Sequence, residues 1–587
     1  MVNLRDEQSS PAQAPPLSHC GEPRIGASSS RSSLFTYVAV YVAILVPLYA
    51  LHATLLRLPY IWDEAGYYIP AARDLWLTGS LIPHSTVSNA HPPLVLSWLA
   101  LAWKIAGYSP VTTRTAMLLV AAFALLGVFR LAEQVSNREV AIASTVSVGL
   151  YSVFFTQSSL AHLDMAAAAL TLWGLRSYLA QRRIGAAIWF SLAALAKETA
   201  VLAPVGLVIF ELASLGSREP GQGSRQTARN IALLVLPFLP LAAWFAYHYH
   251  QTGYVFGNPE FFRYNVAATF HPLRMVLAAA MRIWQLLGYM HLWLLTLAAA
   301  SAMFLPPLVV RSGPRPRIAI PVQSAFLAVI VVYIAAMAVV GGAVLARYML
   351  PVLPLVVILC VSTLWRRVQR WRIAVAFIAI GFIAAWFMNP PYGFSFEDNL
   401  AYRDYIVLHE DAERTLSRQH PAARVLTAWP ASDELTRPYL RYVSRPMHVV
   451  RIENFSLEQM ITAAQARSEF DFALVFSTKY APPTLLDRWP AWQIIKTRFF
   501  GFHRDLPPAA AAQILGGDMV YSATRAGQWI AIIEVPRLVQ ARVEASGPAG
   551  GRNGFSRPAK PCVRNEDEAN REPPALAALA FQPHNSR

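Results

Sequence analysis

The sequence predicts a polytopic α-helical membrane protein of about 11 spans with a small α/β domain toward its C-terminus. Three observations lead to this fold class. Of the 587 residues, 55% are apolar and only 14% are charged, whereas a typical soluble protein has about 25% charged residues. Apolar runs recur along the first two thirds of the chain, and arginines cluster between them. Such a chain cannot cover a globular surface with polar groups, which excludes one large soluble enzyme.

The N-terminal tail, residues 1–33, is rich in Pro, Ser and Arg and is expected to be disordered on the cytoplasmic side. The next run, 34–56, is long enough to span a bilayer, and we interpret it as a retained first helix rather than a cleavable signal. Further apolar runs lie at 112–133, 139–157, 163–180, 231–249, 286–310, 319–340, 349–365 and 373–388.

The stretch 184–214 is either one overlong helix or two short helices that break near Lys197. Arginines flank both of its ends: Arg182, Arg183, Arg218, Arg225 and Arg229. Because short cytoplasmic loops collect Arg and Lys, both ends are predicted to be cytoplasmic and the stretch to be a hairpin. This arrangement gives 11 spans with the N-terminus inside and the C-terminal domain outside. The net charge of +16 is then mainly an orientation signal, and we expect no nucleic-acid partner.

Two regions are predicted to lie outside the membrane part 34–388: the loop 57–111 and the domain 389–540. In the domain, the segments RVLTAW, MHVVRI, FDFALVFS and WIAIIEV have the composition of buried strands, and helical patterns lie between them. One of these helices starts at Ser456, with Gln459 three residues later as in a capping box. Residues 541–587 return to a Pro, Gly, Arg and Asn composition and are expected to be disordered.

The first candidate site residues are Asp63 and Glu64, at the start of an amphipathic segment, 64–78, that is too short and too polar to span. We expect it to lie in the outer interface and to end at Gly79. Asp63 has two interpretations, a helix cap that complements the dipole or a reactive carboxylate at the membrane surface.

Further polar residues fall at predicted outer ends of spans or at breaks in apolar runs. His91 precedes two prolines that start a second short helix, and it is either a turn residue or a ligand of the substrate. Lys197 either pairs with its neighbour Glu198 or binds substrate. The remaining candidates are His162, Asp164, Arg263, Asn265, Arg347 and Tyr348. Acids and bases thus gather on one side of the membrane, as charged chemistry at the outer leaflet requires.

The motifs WDEAGYY, AARDLWLTG, HPPL, LAALAKETA and RYMLPVLP occur in an order that resembles the GT-C membrane glycosyltransferases. Their nearest branch is the protein O-mannosyltransferase and aminoarabinose-transferase-like group, glycosyltransferase family 39-like. The similarity covers roughly residues 34–390. It implies a polyprenyl-phosphate-sugar donor, an extracytoplasmic acceptor that is a lipid, polysaccharide or protein, and inversion at the anomeric carbon.

The resemblance also implies roles for residues. Asp63 corresponds to the catalytic or acceptor-orienting acid, with Glu64 beside it, and Asp164 corresponds to the second acid. In the aminoarabinose transferases, a lysine that contacts the donor phosphate occupies the position of His91. The histidine of this sequence is a departure from that pattern. Lys197 matches the lysine of the KETA stretch. Lys197 and Arg347 are expected to bind the lipid phosphate of the donor, with His91 as a third candidate for this contact. Some members use a divalent metal and others do not, so no metal ligand is assigned.

The resemblance further implies a multi-pass protein of the plasma membrane that contacts membrane lipids. Only five of the 50 basic residues are lysine, a bias typical of a GC-rich bacterial genome, so we expect a bacterial plasma membrane. The alternative from another functional class is a transporter or lipid flippase. Internal repeats and ionisable residues at mid-membrane would favour that alternative, and the sequence shows neither clearly.

Overall fold

The computed structural model describes residues 34–215, 223–257, 269–311, 313–340, 342–480 and 482–536. The two predicted tails, 1–33 and 541–587, lie outside these described residues.

The part before residue 388 is built from helices. They are α1 Leu34–His52, α2 Ile69–Thr78, α3 Leu94–Ala106, α4 Pro110–Val135, α5 Arg138–Leu150, α6 Ser152–Gln157, α7 Leu163–Leu179, α8 Arg183–Ala196, α9 Leu202–Ala213, α10 Gly223–Val235, α11 Phe238–Thr252, α12 Pro272–Leu287, α13 Leu292–Ala302, α14 Ile320–Val339, α15 Leu353–Arg367 and α16 Trp371–Phe387. A two-residue strand pair, β1 Val309–Val310 and β2 Gly313–Pro314, lies between α13 and α14.

Among the described residues, five helical segments are long and apolar enough to cross a membrane: Leu34–His52, Pro110–Val135, Arg225–Thr252, Pro272–Ala302 and Ile320–Val339. Shorter apolar helices accompany them: Leu94–Ala106, Arg183–Ala196 and Trp371–Phe387. The prediction of a polytopic helical fold with a C-terminal sheet region is therefore confirmed, while the count of 11 spans stays a prediction.

The helices differ in how deeply their side chains are buried, and this difference distinguishes the centre of the helical part from its periphery. Most of α4 is buried, and α7 packs between α4 and α8. By contrast, most side chains of α1 are exposed although they are apolar. Exposed apolar helix surface of this kind is compatible with lipid and not with water.

The predicted break near Lys197 is present. Helix α8 ends at Ala196, Lys197 has an extended backbone, and a short 3-10 turn, Glu198–Val201, leads into α9. A second break was not predicted: the run 286–310 is divided at Tyr289–His291, and its helix begins earlier, at Pro272. Hydropathy missed the first half of this helix because its polar side chains, among them Arg282 and Gln285, are buried and bonded to protein groups.

The loop 57–111 contains the two predicted short helices. A π-helical turn, Glu64–Tyr68, continues into α2, which ends at Gly79 with φ 77° as predicted. Pro70 lies in the first turn of α2, where a missing N–H costs little, and α3 follows the two prolines.

The C-terminal part is a mixed five-stranded sheet with helices around it. Its strands are β3 Arg424–Ala428, β4 His448–Ile452, β5 Phe472–Phe476, β6 Asp518–Arg525 and β7 Gln528–Glu534, and its helices are α17 Ala401–Gln419, α18 Ala431–Thr436, α19 Leu457–Gln465, α20 Pro490–Phe500 and α21 Pro508–Leu515. The strand order is β4-β3-β5-β7-β6, with β3 parallel to β4 and β5, and β7 antiparallel to β5 and β6. The four segments predicted as strands all form strands. Strand β6 was missed because it is a largely exposed edge strand without an apolar run.

Candidate functional site

Asp63 lies just before the π-helical turn that opens α2. Its side chain makes no capping hydrogen bond, so the structure does not support the interpretation of Asp63 as a helix cap. The carboxylate instead pairs with the guanidinium of Arg347, 284 residues later in the chain. The side chain of Asp63 is 28% exposed, so it contacts a buried cation and also faces the surroundings.

Arg347 lies in a 3-10 turn, Ala346–Met349, before α15, and its guanidinium is buried. Besides Asp63, its Nη1 donates to Oε1 of Glu397 at 2.6 Å and lies 3.2 Å from the ring nitrogens of His162. Its Nε is 3.4 Å from Oδ2 of Asp164. One arginine therefore gathers carboxylates from three separate segments, and two of them, Asp63 and Asp164, were predicted as site residues.

Lys197 is brought to the same place by the break between α8 and α9. Its Nζ lies 2.6 Å from Oδ1 of Asp164 and 4.0 Å from the centre of the Tyr348 ring. The interpretation of Lys197 and Glu198 as a mutual ion pair is therefore wrong. An ammonium group placed between a carboxylate and an aromatic face is held in one position.

Tyr348 is surrounded by cations. The ring centre lies 4.0 Å from Nζ of Lys197, 5.4 Å from Cζ of Arg282 and 5.7 Å from Cζ of Arg347. We call Lys197, Arg282, Arg347 and Tyr348 the cation cluster. Arg282 was not among the sequence candidates, although an arginine within an apolar helix is a signal that could have found it.

Arg282 is fully buried on α12. Its Nε and Nη1 donate to the backbone carbonyls of Met337 and Leu345 at 3.3 and 2.7 Å. Within the described part of the chain, its Nη2 has no hydrogen-bond acceptor. A buried, charged donor without an acceptor is costly, and an anion in the cation cluster would supply one.

His91 approaches the site from the side of α3. Its Nδ1 lies 2.8 Å from Oε2 of Glu198, the residue that follows Lys197. The ring of Tyr68 lies between the two histidines, with ring centres 6.1 Å from His91 and 5.9 Å from His162. His91 therefore borders the site through Glu198 and Tyr68.

Glu64 has a different environment from Asp63, and this environment does not favour the catalytic role expected for it. It is fully buried and forms an ion pair with Arg114. Its Oε1 also accepts from the backbone N–H of Ala161 at 2.5 Å, and its Oε2 from that of Ile61 at 3.2 Å. Because both oxygens are held by protein donors, Glu64 fixes the loop on which Asp63 lies rather than facing a substrate.

Glu397 was missed by the sequence analysis. It follows the last apolar helix, in a buried turn, Phe396–Asp398, and its backbone carbonyl accepts from the side chains of Thr156 and Gln157. Burial raises the pKa of the Glu397 carboxyl to about 8, the Arg347 guanidinium acts in the opposite direction, and the Asp63 carboxylate adds to the rise. A pair of acids shortly after the last apolar run is the signal that could have found it.

Two other candidates, Arg263 and Asn265, lie outside the described residues. The structure thus brings together Asp63, His162, Asp164, Lys197, Arg347 and Tyr348 in one cluster, with His91 at its border. A divalent metal at this place would compete with Arg347 and Lys197 for the same carboxylate oxygens, so the residues present fit an arginine-centred site better than a metal site.

The chain is similar in structure to three solved sugar-transfer proteins, each at low sequence identity. ArnT from Cupriavidus metallidurans bound to undecaprenyl phosphate has 13% identity and a TM-score of 0.49, with 85% of this chain and 98% of that chain covered. The Archaeoglobus fulgidus oligosaccharyltransferase in complex with Zn and sulfate has 13% identity and a TM-score of 0.45, covering 75% and 67%. The arabinofuranosyltransferase AftD from Mycobacteria has 14% identity and a TM-score of 0.41, covering 86% and 40%.

All three are GT-C glycosyltransferases, the group that the sequence motifs resemble. No protein-family model and no curated protein matches the sequence.

Proposed function

We propose that this protein is an integral membrane glycosyltransferase that moves a sugar from a polyprenyl-phosphate-linked donor to an extracytoplasmic acceptor, with inversion at the anomeric carbon. The observation that carries the proposal is the meeting of a partly exposed carboxylate, Asp63, with the cation cluster. The carboxylate can accept the proton that the nucleophile loses, and the cations can stabilise the negative charge that develops on the departing phosphate.

The donor phosphate is assigned to Lys197 and Arg282, with Tyr348 between them. Both cations are buried, where an interaction with an anion is stronger than in water. Arg282 has the free Nη2 described above, and its helix neighbours Met281 and Ile283 are exposed and apolar. A polyprenyl chain can therefore lie along the outer surface of α12 while its phosphate reaches inward.

Asp63 is assigned as the base. It accepts a proton from the acceptor hydroxyl or amine while that nucleophile forms a bond to the anomeric carbon. The bond between this carbon and the phosphate oxygen breaks in the same step, and the electron pair leaves with the lipid phosphate. Because the nucleophile enters on the face of the sugar opposite the departing phosphate, this single displacement inverts the anomeric configuration.

Arg347 has a positioning role in this scheme. Its guanidinium is enclosed by Asp63, Glu397 and His162, so it orients the base and keeps a positive charge beside the departing phosphate. Asp164 holds Lys197 in the same manner.

The phosphate assignment is tested by binding of undecaprenyl phosphate to the purified full-length protein in nanodiscs, measured by native mass spectrometry. Every donor of this class leaves a lipid phosphate behind, so the assay requires no knowledge of the sugar. We expect Arg282→Met to weaken binding about tenfold or more, because a charge-assisted hydrogen bond contributes about 1.5–3 kcal/mol. The control is Arg372→Met, which removes an exposed arginine paired with Glu139. Equal binding by the Arg282 variant and the wild type would contradict the assignment.

Transfer is tested separately, by mass spectrometry of envelope glycolipids and glycoproteins from a strain that lacks the gene. We expect one glycan class to lose a sugar and the wild-type gene to restore it. If the lipid phosphate binds but no glycan changes, the transporter or flippase alternative replaces the transferase.

A further inference from the structure

The C-terminal domain contains a second cluster of ionisable side chains, apart from the cation cluster. His409 and Glu413 are one turn apart on the same face of α17, and Glu434 comes from α18. Nδ1 of His409 is 2.7 Å from Oε2 of Glu434 and 3.5 Å from Oε1 of Glu413. One ligand atom from each of the three lies within 4.8 Å of the others.

This cluster is enclosed by apolar and aromatic groups. The three residues are at most 1% exposed. The ring of Tyr405 stacks on His409 with centres 4.0 Å apart, and Phe476 packs edge-on at 4.6 Å. Water therefore has little access to the two carboxylates.

No arginine or lysine of the described residues compensates the charge of this cluster, and His409 can offset at most one of the two carboxylates. Among the described residues, neither Glu413 nor Glu434 forms an ion pair with an arginine or lysine. Both oxygens of Glu413 and Oε1 of Glu434 also have no hydrogen-bond donor there. One imidazolium cannot neutralise two carboxylates, and an unpaired buried charge is strongly unfavourable, so both glutamates can be ionised only if a further cation is bound.

We propose that His409, Glu413 and Glu434 form a binding site for one divalent transition-metal ion, and Zn²⁺ is the ion that we expect. One imidazole nitrogen and two carboxylates are a ligand set that such ions accept, whereas Mg²⁺ and Ca²⁺ prefer oxygen ligands alone. The double positive charge neutralises both carboxylates, and the unpaired oxygens gain a partner.

The proposed metal is structural, because the site is closed to solvent. It joins α17 to α18, which contact the turns Phe396–Asp398 and Glu64–Tyr68 respectively. Helix α17 begins four residues after Glu397, and α18 begins two residues after Trp429, whose ring packs against Trp62 at 5.2 Å. A metal at this place thus fixes both outer-domain segments that border Asp63.

The test is metal analysis of the full-length protein purified in detergent without a histidine tag. We expect about one zinc per chain by plasma mass spectrometry after dialysis, and a thermal midpoint that falls when a chelator removes the metal and recovers on addition of Zn²⁺ alone. Glu413→Gln keeps the side-chain shape and should lose at least tenfold in zinc affinity.

The matched control is Glu410→Gln on the same helix, which pairs with Arg414 near the surface and should bind zinc like the wild type. A protein that contains no metal and whose midpoint does not respond to Zn²⁺ would overturn the proposal and indicate that the two carboxyls share protons instead. Zinc bound equally by the wild type and Glu413→Gln would overturn it as well. Neither readout depends on sugar transfer, so the proposal can fail or succeed independently of the proposed function.

Discussion

Two adjacent acids in the WDEA motif have opposite environments. Asp63 is partly exposed and contacts Arg347, whereas Glu64 is fully buried against Arg114. The sequence predicted both acids as catalytic residues but could not tell their environments apart. Their partner arginines lie about 280 and 50 residues away in the chain. Burial and partner choice depend on tertiary packing, which short motifs do not encode.

Asp63→Asn separates the two interpretations of Asp63. Asparagine keeps the shape and is itself a good helix cap, so the protein should fold and insert normally. Without a base we expect transfer to fall by about 10²–10⁴-fold, measured as restoration of the missing glycan in the deletion strain. Glu133→Gln, at a partly exposed pair with Arg130, is the control and should restore the glycan. An active Asp63→Asn protein would remove Asp63 from the chemistry.

Breaks in the helices, rather than the helices themselves, supply much of the site. Lys197 follows the end of α8, Arg347 lies in a 3-10 turn before α15, and Asp63 precedes a π-helical turn. The break at Lys197 was predictable from charge, because arginines at both ends of one apolar run require a hairpin. The break at Tyr289–His291 was not, since no charge asymmetry or proline marks it.

The loop that carries Asp63 depends on one buried ion pair. Glu64→Gln leaves the Arg114 guanidinium buried without a counter-charge, and such a loss destabilises a protein by about 3–5 kcal/mol. We therefore expect a clearly lower thermal midpoint for the purified protein, and reduced insertion. Combining Glu64→Gln with Arg114→Met should recover part of this loss, because the unpaired charge is removed.

The exposed pair of Glu139 and Arg372 provides the comparison. Glu139→Gln should change the free energy of unfolding by about 1 kcal/mol or less, since surface pairs contribute little. A Glu64→Gln protein as stable as the wild type, yet inactive, would return Glu64 to the list of catalytic candidates.

At the scale of the whole molecule, composition and apolar runs were sufficient to predict the polytopic helical fold and the C-terminal sheet region. The predicted segments for β3, β4, β5 and β7 were right, and Ser456 accepts from the N–H of Gln459 as a helix cap. What the sequence did not reveal is the packing of the sheet domain on the loop 57–111. The hydroxyl of Tyr442 donates to the backbone carbonyl of Tyr60 at 3.0 Å, a contact between residues 382 positions apart.

Orientation in the membrane is a prediction for the whole chain. The arginine clusters favour an extracytoplasmic C-terminal domain. Reporter fusions after Pro390 should therefore be active for a periplasmic phosphatase reporter and inactive for a cytoplasmic fluorescent one. The reverse pattern would change the number of spans and place Asp63 on the wrong side for an extracytoplasmic acceptor.

The position of Glu397 after the last apolar helix limits how this architecture can evolve. A recombination event that joined a new C-terminal domain directly after Phe387 would exchange a residue that holds Arg347, together with the turn that bonds to Thr156. The segment up to about Leu400 must therefore be inherited with the helical part. Lineages that acquire new C-terminal domains are expected to do so by changes beyond this segment, so the helical part and the C-terminal domain are not interchangeable modules.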